Sequence, residues 1–160
     1  MSVTSLIGAS MLFLSCLLWG IERGRRERER LLAIEGLMAF VSYTEEQIST
    51  FRTPLNKIYK DFSNKYLDRC GFTSLLSEKG LDVALGSLQR VLSAEVMAEA
   101  YSFAASLGGG YSEGQQSLCR YTLSRLEGEK QRLSEGLSEK IKMYRLLPIL
   151  FAACIIILLI

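Results

Sequence analysis

The stretch GRRERERLLAIEGLMAFVSYTEEQI, Gly24–Ile48, carries two patterns on one helix. Its second half sets Leu31, Ile34, Met38, Val41 and Ile48 at intervals of three, four, three and seven, which is one apolar helical face. Its first half interleaves Arg with Glu. Pairs such as Glu22–Arg26 and Glu27–Arg30 therefore fall three or four residues apart, as on a solvated helix surface.

Upstream of this stretch the charge stops. All 36 charged side chains lie between Glu22 and Arg145, and none occurs in residues 1–21 or 146–160. Crossing about 30 Å of hydrocarbon takes roughly 20 apolar residues. Ser2–Ile21 has that length, and Leu146–Ile160 is extended in apolar character by Met143 and Tyr144. Lys142 and Arg145 can snorkel to the headgroups, their stems covering hydrocarbon. The expectation is a transmembrane helix over 2–21, a helical domain over 22–145 and a second transmembrane helix over 146–160. Nothing basic precedes the first apolar run, and Trp19-Gly20-Ile21-Glu22 has no A-x-A cleavage pattern, so the segment is expected to be retained. Arg23, Arg25, Arg26, Arg28 and Arg30 follow the first segment, and Lys140, Lys142 and Arg145 precede the second. Positive flanks stay inside, so both place the central domain in the cytoplasm.

Composition removes most enzyme classes. There is no histidine, hence no Ser-His or Cys-His nucleophile pair and no histidine zinc ligand. Cys16, Cys70, Cys119 and Cys154 form no C-x-x-C, and no phosphate-cradling glycine motif occurs. Gly108-Gly109-Gly110 is followed by Tyr111-Ser112-Glu113, without a lysine to hold phosphate, and reads as a turn. Glutamates dilute the arginine run and no aromatics interleave it, which argues against nucleic acid. No catalytic residue, cofactor or metal is expected.

The remaining segments are helical. Thr53 is expected to cap a helix with Pro54 in its first turn, carrying Leu55, Ile58, Tyr59, Phe62 and Tyr66 on one face until Cys70-Gly71. Thr73 or Ser74 caps a short turn with Leu75 and Leu76, ended by Gly80. A short helix over Leu81–Leu92 turns Leu85, Leu88 and Leu92 inward. Ser93 caps the next, with Val96, Met97, Ala100, Phe103, Ala104 and Leu107 buried and Gly108 as the left-handed terminator. Ser112 and Gln115 have capping-box spacing. The helix they open carries Leu123, Leu126, Leu133, Leu137 and Tyr144 at heptad-compatible intervals into the apolar tail. The fold expected is all-α, an antiparallel helical bundle flanked by an N-terminal and a C-terminal transmembrane helix.

The ordered set of parts resembles the stage III sporulation protein AB family. The parts are the N-terminal apolar segment, the Arg/Glu-rich helix, Thr53-Pro54-Leu55, Leu107-Gly108 followed by Gln115-Gln116, Leu123-Ser124-Arg125-Leu126-Glu127, and Lys142-Met143-Tyr144-Arg145 entering the apolar tail. Where the family carries an Asp soon after its Leu-Gly turn, this chain has Gly109-Gly110-Tyr111-Ser112-Glu113. The resemblance implies a cytoplasmic bundle similar to the F-domain of type II secretion and type IV pilus platform proteins. It also implies a place in the complex joining mother cell and forespore, on the mother-cell side of the outer forespore membrane. The implied partners are a secretion-type cytoplasmic ATPase, further membrane subunits of that complex and the lipid bilayer. Self-association into a homo-oligomer is compatible with it.

Thr53, Pro54, Leu55, Gly108, Ser112, Gln115 and Gln116 are the candidate partner contacts, because their turns fall at the membrane-distal end if the long helices stand upright on the bilayer. The alternative is a membrane-tethered helical adaptor or scaffold of cell division or envelope stress, dimerising through the heptad seam.

Overall fold

The computed structural model describes the backbone of residues 3–109 and 112–159, and the side chains of 18–109, 113–137 and scattered positions outside those ranges. Seven helices occur in order and no strand among the described residues. They are α1 (Val3–Phe51), α2 (Leu55–Asp61), α3 (Lys65–Arg69), α4 (Phe72–Lys79), α5 (Leu81–Gly86), α6 (Ala94–Ser106) and α7 (Ser112–Leu159). The chain divides into two units, one of Arg30–Arg132 and one of residues 1–29 with 133–160.

In the Arg30–Arg132 unit, α1 buries Ala33, Ile34, Leu37, Phe40, Val41, Thr44 and Ile48. The centre of this stripe is not the one the leucine spacing predicts. Ile34, Val41 and Ile48 are buried as expected, but Leu31 and Met38 are only half-buried. Phe40 takes the middle because α2 and α4 supply aromatic partners. Its ring meets Phe62 at 5.1 Å and Phe72 at 5.9 Å, both edge-on, and Tyr59 at 6.2 Å. Such pairs add about 0.5–1.5 kcal/mol each beyond area burial. Thr44 can be buried because its hydroxyl donates to the Phe40 carbonyl at 2.8 Å.

The expected single helix from Pro54 to Cys70 is two helices. α2 stops at Asp61, Phe62 is extended, and Asn64 caps α3 by accepting from the N–H groups of Tyr66 and Leu67. Asp68 closes the cap from the other side. It accepts from the Asn64 N–H and the Ser63 hydroxyl. Its carboxyl is held below the usual range first by a hydrogen bond from Thr73, and then by these two. The break re-aims the chain so that Leu67 is fully buried against Gly36 of α1. A Cβ at Gly36 would stand 2.8 Å from Leu67 Cγ, so glycine sets how closely α3 approaches α1.

α4 starts one to two residues before the expected cap, behind left-handed Gly71, and buries Phe72 with Leu76. α5 ends at Gly86 instead of continuing to Leu92, as a glycine with poor helix propensity allows. Tighter turns then carry Leu88 and Leu92 inward. Ser93 caps α6 as expected, its hydroxyl accepting from the Val96 N–H at 3.4 Å. α6 buries Val96, Met97, Ala100 and Phe103, while Ala104 and Leu107 are half-buried.

α7 runs antiparallel to α1 in this unit. Lys130 pairs with Glu35 at 3.0 Å and Arg120 with Glu45 at 2.8 Å. A ten-residue step forward on one helix matches a ten-residue step back on the other. Along this stretch α7 buries Cys119, Thr122 and Leu126, spaced three and four apart. Burial and the nearby Glu45 carboxylate push the Cys119 thiol up to about 11, which makes it an inert packing group.

The other unit consists of the outer parts of α1 and α7. Its charged edge carries the Glu22–Arg26 pair expected from the sequence, at 3.3 Å, and Arg25–Glu29 at 3.0 Å. Leu14, Leu18, Trp19 and Ile21 on α1 are exposed, as are Leu146, Leu150 and Phe151 on α7. Among the described residues no helix is long and apolar enough to cross a membrane. Many side chains of the expected spans, 2–21 and 146–160, lie outside the described ones.

Candidate partner-contact surface

α1 ends where the sequence forces it to. The residue before a proline is driven out of helical conformation, and Thr53 precedes Pro54. The turn is closed by the Thr53 N–H on the Gln47 carbonyl at 3.1 Å and by the Thr53 hydroxyl on Gln47 Oε1 at 3.0 Å. Thr53 therefore finishes α1 and does not cap α2. Pro54 stands at the cap position of α2, and its carbonyl accepts from Lys57 and Ile58. Just before Thr53, Arg52 has φ +48°, a left-handed conformation usually left to glycine.

The second expected turn meets the first. Gly108, at φ +89°, ends the α6 segment, and a Cβ there would lie 3.0 Å from Leu55 Cδ1. Leu55 thus packs onto a backbone that only glycine leaves bare. Gln115 lines an open groove of about 370 Å³ with Ala105, Ser106, Gly109, Gly114 and Leu118, so the first turns of α7 border the end of α6. Gln115 and Gln116 are both half-buried. Ser112 opens α7 as expected, but its side chain and residues 110 and 111 lie outside the described residues, and the Ser112–Gln115 capping box with them.

Of the seven candidates, Leu55 and Gly108 are in direct apposition. Thr53 and Pro54 hold the Leu55 turn, and Gln115 borders the groove beside Gly109. Two participants escape sequence reasoning. Phe51 is 63% exposed at the last position of α1, and Arg52 is exposed beside it in its left-handed conformation. The proline marked the turn, but nothing in the letters distinguishes an outward Phe51 from an inward one. Chemically the surface offers an aromatic ring, a guanidinium and bare glycine backbone. Among the described residues no group of three or more Cys, Asp or Glu is placed to hold a metal ion.

The family model described as stage III sporulation protein AB matches residues 5–160. The chain belongs to that family. No curated protein and no solved structure gives a significant match. For this family member, the match takes in α1, the Thr53–Leu55 and Gly108 turns, and α7 alike. A role in sporulation follows from membership.

Proposed function

We propose that the chain is a non-enzymatic platform subunit of the mother cell–forespore complex. In this reading residues 2–21 and 146–160 sit in the bilayer, the Arg30–Arg132 unit lies in the cytoplasm, and the Thr53–Leu55/Gly108 surface receives a secretion-type ATPase. The observation that carries the proposal is the charge partition, taken with family membership over nearly the whole chain. Residues such as Trp19, Leu18, Leu150 and Phe151 present apolar area that water solvates poorly and lipid solvates well. The basic flanks then favour a cytoplasmic domain. A double tether fixes orientation, which is what a subunit passing motion from an ATPase to membrane partners needs.

Two measurements test it. Reporter fusions within 31–137 should be active only as cytoplasmic reporters, and a periplasm-active fusion there overturns the topology. Co-purification from sporulating cells should recover the ATPase with the native chain and lose it with Phe51→Glu or Arg52→Glu. Gly108→Arg is the weaker probe. It also clashes with Leu55 and strains a left-handed backbone, so its failure reports on folding as well as contact. Undiminished recovery with both exposed-residue variants overturns the contact surface.

A further inference from the structure

The cations of the Arg30–Arg132 unit are not treated alike. Arg120, Lys130 and Arg132 on α7 each pair with a glutamate. Lys57 and Lys60 on α2, and Lys65 and Arg69 on α3, are exposed, and none forms an ion pair among the described residues. Spacings of three and four put each pair on one face of its helix. The acids nearby do little to neutralise them. Asp68 is committed to the α3 cap, and Glu35, which lines the groove beside Lys65 and Arg69, is paired with Lys130 at 3.0 Å, leaving Asp61. Lys65 and Arg69 also line an open groove of about 290 Å³ whose apolar wall includes Leu32, itself 45% exposed.

The complementary surface is on the same chain. A groove of about 370 Å³ between the first turns of α6 and the 124–129 stretch of α7 is lined by Glu95, Glu99 and Glu129, together with Val96, Leu126 and Arg125. Gly128 also lines it, facing open space. Arg132 is shared between Glu95 at 3.9 Å and Glu129 at 3.4 Å, and Glu99 has no ion pair among the described residues. The groove thus sets three carboxylates against Arg125 and Arg132. No ion pair among the described residues joins this rim to the α2–α3 cations, so the two sets do not satisfy one another within one chain.

We propose that the chain associates with itself head to tail, the Lys57/Lys60/Lys65/Arg69 face of one copy docking on the Glu95/Glu99/Glu129 groove of the next. The two faces differ, so the contact is heterologous and builds a ring or an open row of copies. It uses neither Phe51 nor the Thr53–Leu55/Gly108 turns, and stands apart from the ATPase reading. Its electrostatics make it sensitive to salt.

The test is zero-length carbodiimide coupling of the full chain purified in detergent, a reaction that joins a lysine amine to a touching carboxylate with loss of water. The native chain should give a ladder of dimers and higher oligomers at low salt, and at least tenfold less in about 1 M salt, where the Debye length is about 3 Å. Lys57→Glu/Lys60→Glu alone and Glu95→Lys/Glu99→Lys alone should each lose the ladder. Mixing the two variants should restore it, because each supplies the charge the other has reversed. Restoration also shows that both variants are folded. A ladder that survives either variant alone, or a mixture that stays monomeric, overturns the proposal; so does a native chain that remains monomeric and couples instead to an acidic protein added from the same cells.

Discussion

Phe40 and Phe51 stand eleven residues apart on α1, about three turns, and so on nearly the same face of the helix. Phe40 is fully buried and meets three rings. Phe51 is exposed and makes no ring contact among the described residues. The difference lies in what covers the face: rings from α2, α4 and the link after α2 close over Phe40, whereas at Phe51 the chain turns away through Arg52 and Pro54. One aromatic is used to fold the protein, and the other is left for something else to cover.

The largest effect is expected where that cover is thickest. Phe40→Ala removes the ring on which Tyr59, Phe62 and Phe72 converge and leaves a cavity. It should cost about 3–5 kcal/mol, read from the midpoint of denaturant unfolding followed by circular dichroism. A loss below about 1.5 kcal/mol would place the centre of the core elsewhere.

A second test separates packing from propensity. Gly36→Ala should gain up to about 1 kcal/mol in helix propensity, but the new methyl group meets Leu67 Cγ at 2.8 Å inside a filled site. Overpacking costs about 1–3 kcal/mol, so the single variant should be destabilised by about 1 kcal/mol. In a Leu67→Ala background the obstacle is gone and Gly36→Ala should become stabilising. A sign that does not reverse between the two backgrounds means that Leu67 is not what requires glycine at position 36.

These residues also mark how far the sequence could be read. Helix class and most helix ends were legible, because Pro54, Gly80, Ser93 and Gly108 are local signals with local consequences. The α2–α3 break was written in Ser63-Asn64 and Asp68, a cap recognisable once its reciprocal bonds are seen, but a periodic apolar face ran through it and masked it. Phe40's place at the centre was not legible from spacing alone, since it depends on rings from α2 and α4 arriving from elsewhere in the chain. The same holds for the candidate surface. Its two turns could be named separately, whereas the 3.0 Å approach of Leu55 to Gly108 is a tertiary fact. Arg52 carries no signal of its left-handed backbone, because the proline two residues on imposes the turn without dictating which residue absorbs it.

The smallest effect on the fold is the most informative for function. Phe51→Ala removes a ring with little buried area, so its unfolding midpoint should stay within about 0.5 kcal/mol of the native chain. If the ring is a partner contact, the same variant should lower recovery of the ATPase from sporulating cells, since exposed aromatics carry a large share of the energy at protein interfaces. The pairing of results decides the matter. Unchanged stability with lost recovery assigns Phe51 to a partner, and unchanged stability with unchanged recovery removes it from the contact surface. A large loss of stability would mean that Phe51 is covered within the chain after all, and the contrast with Phe40 would fail.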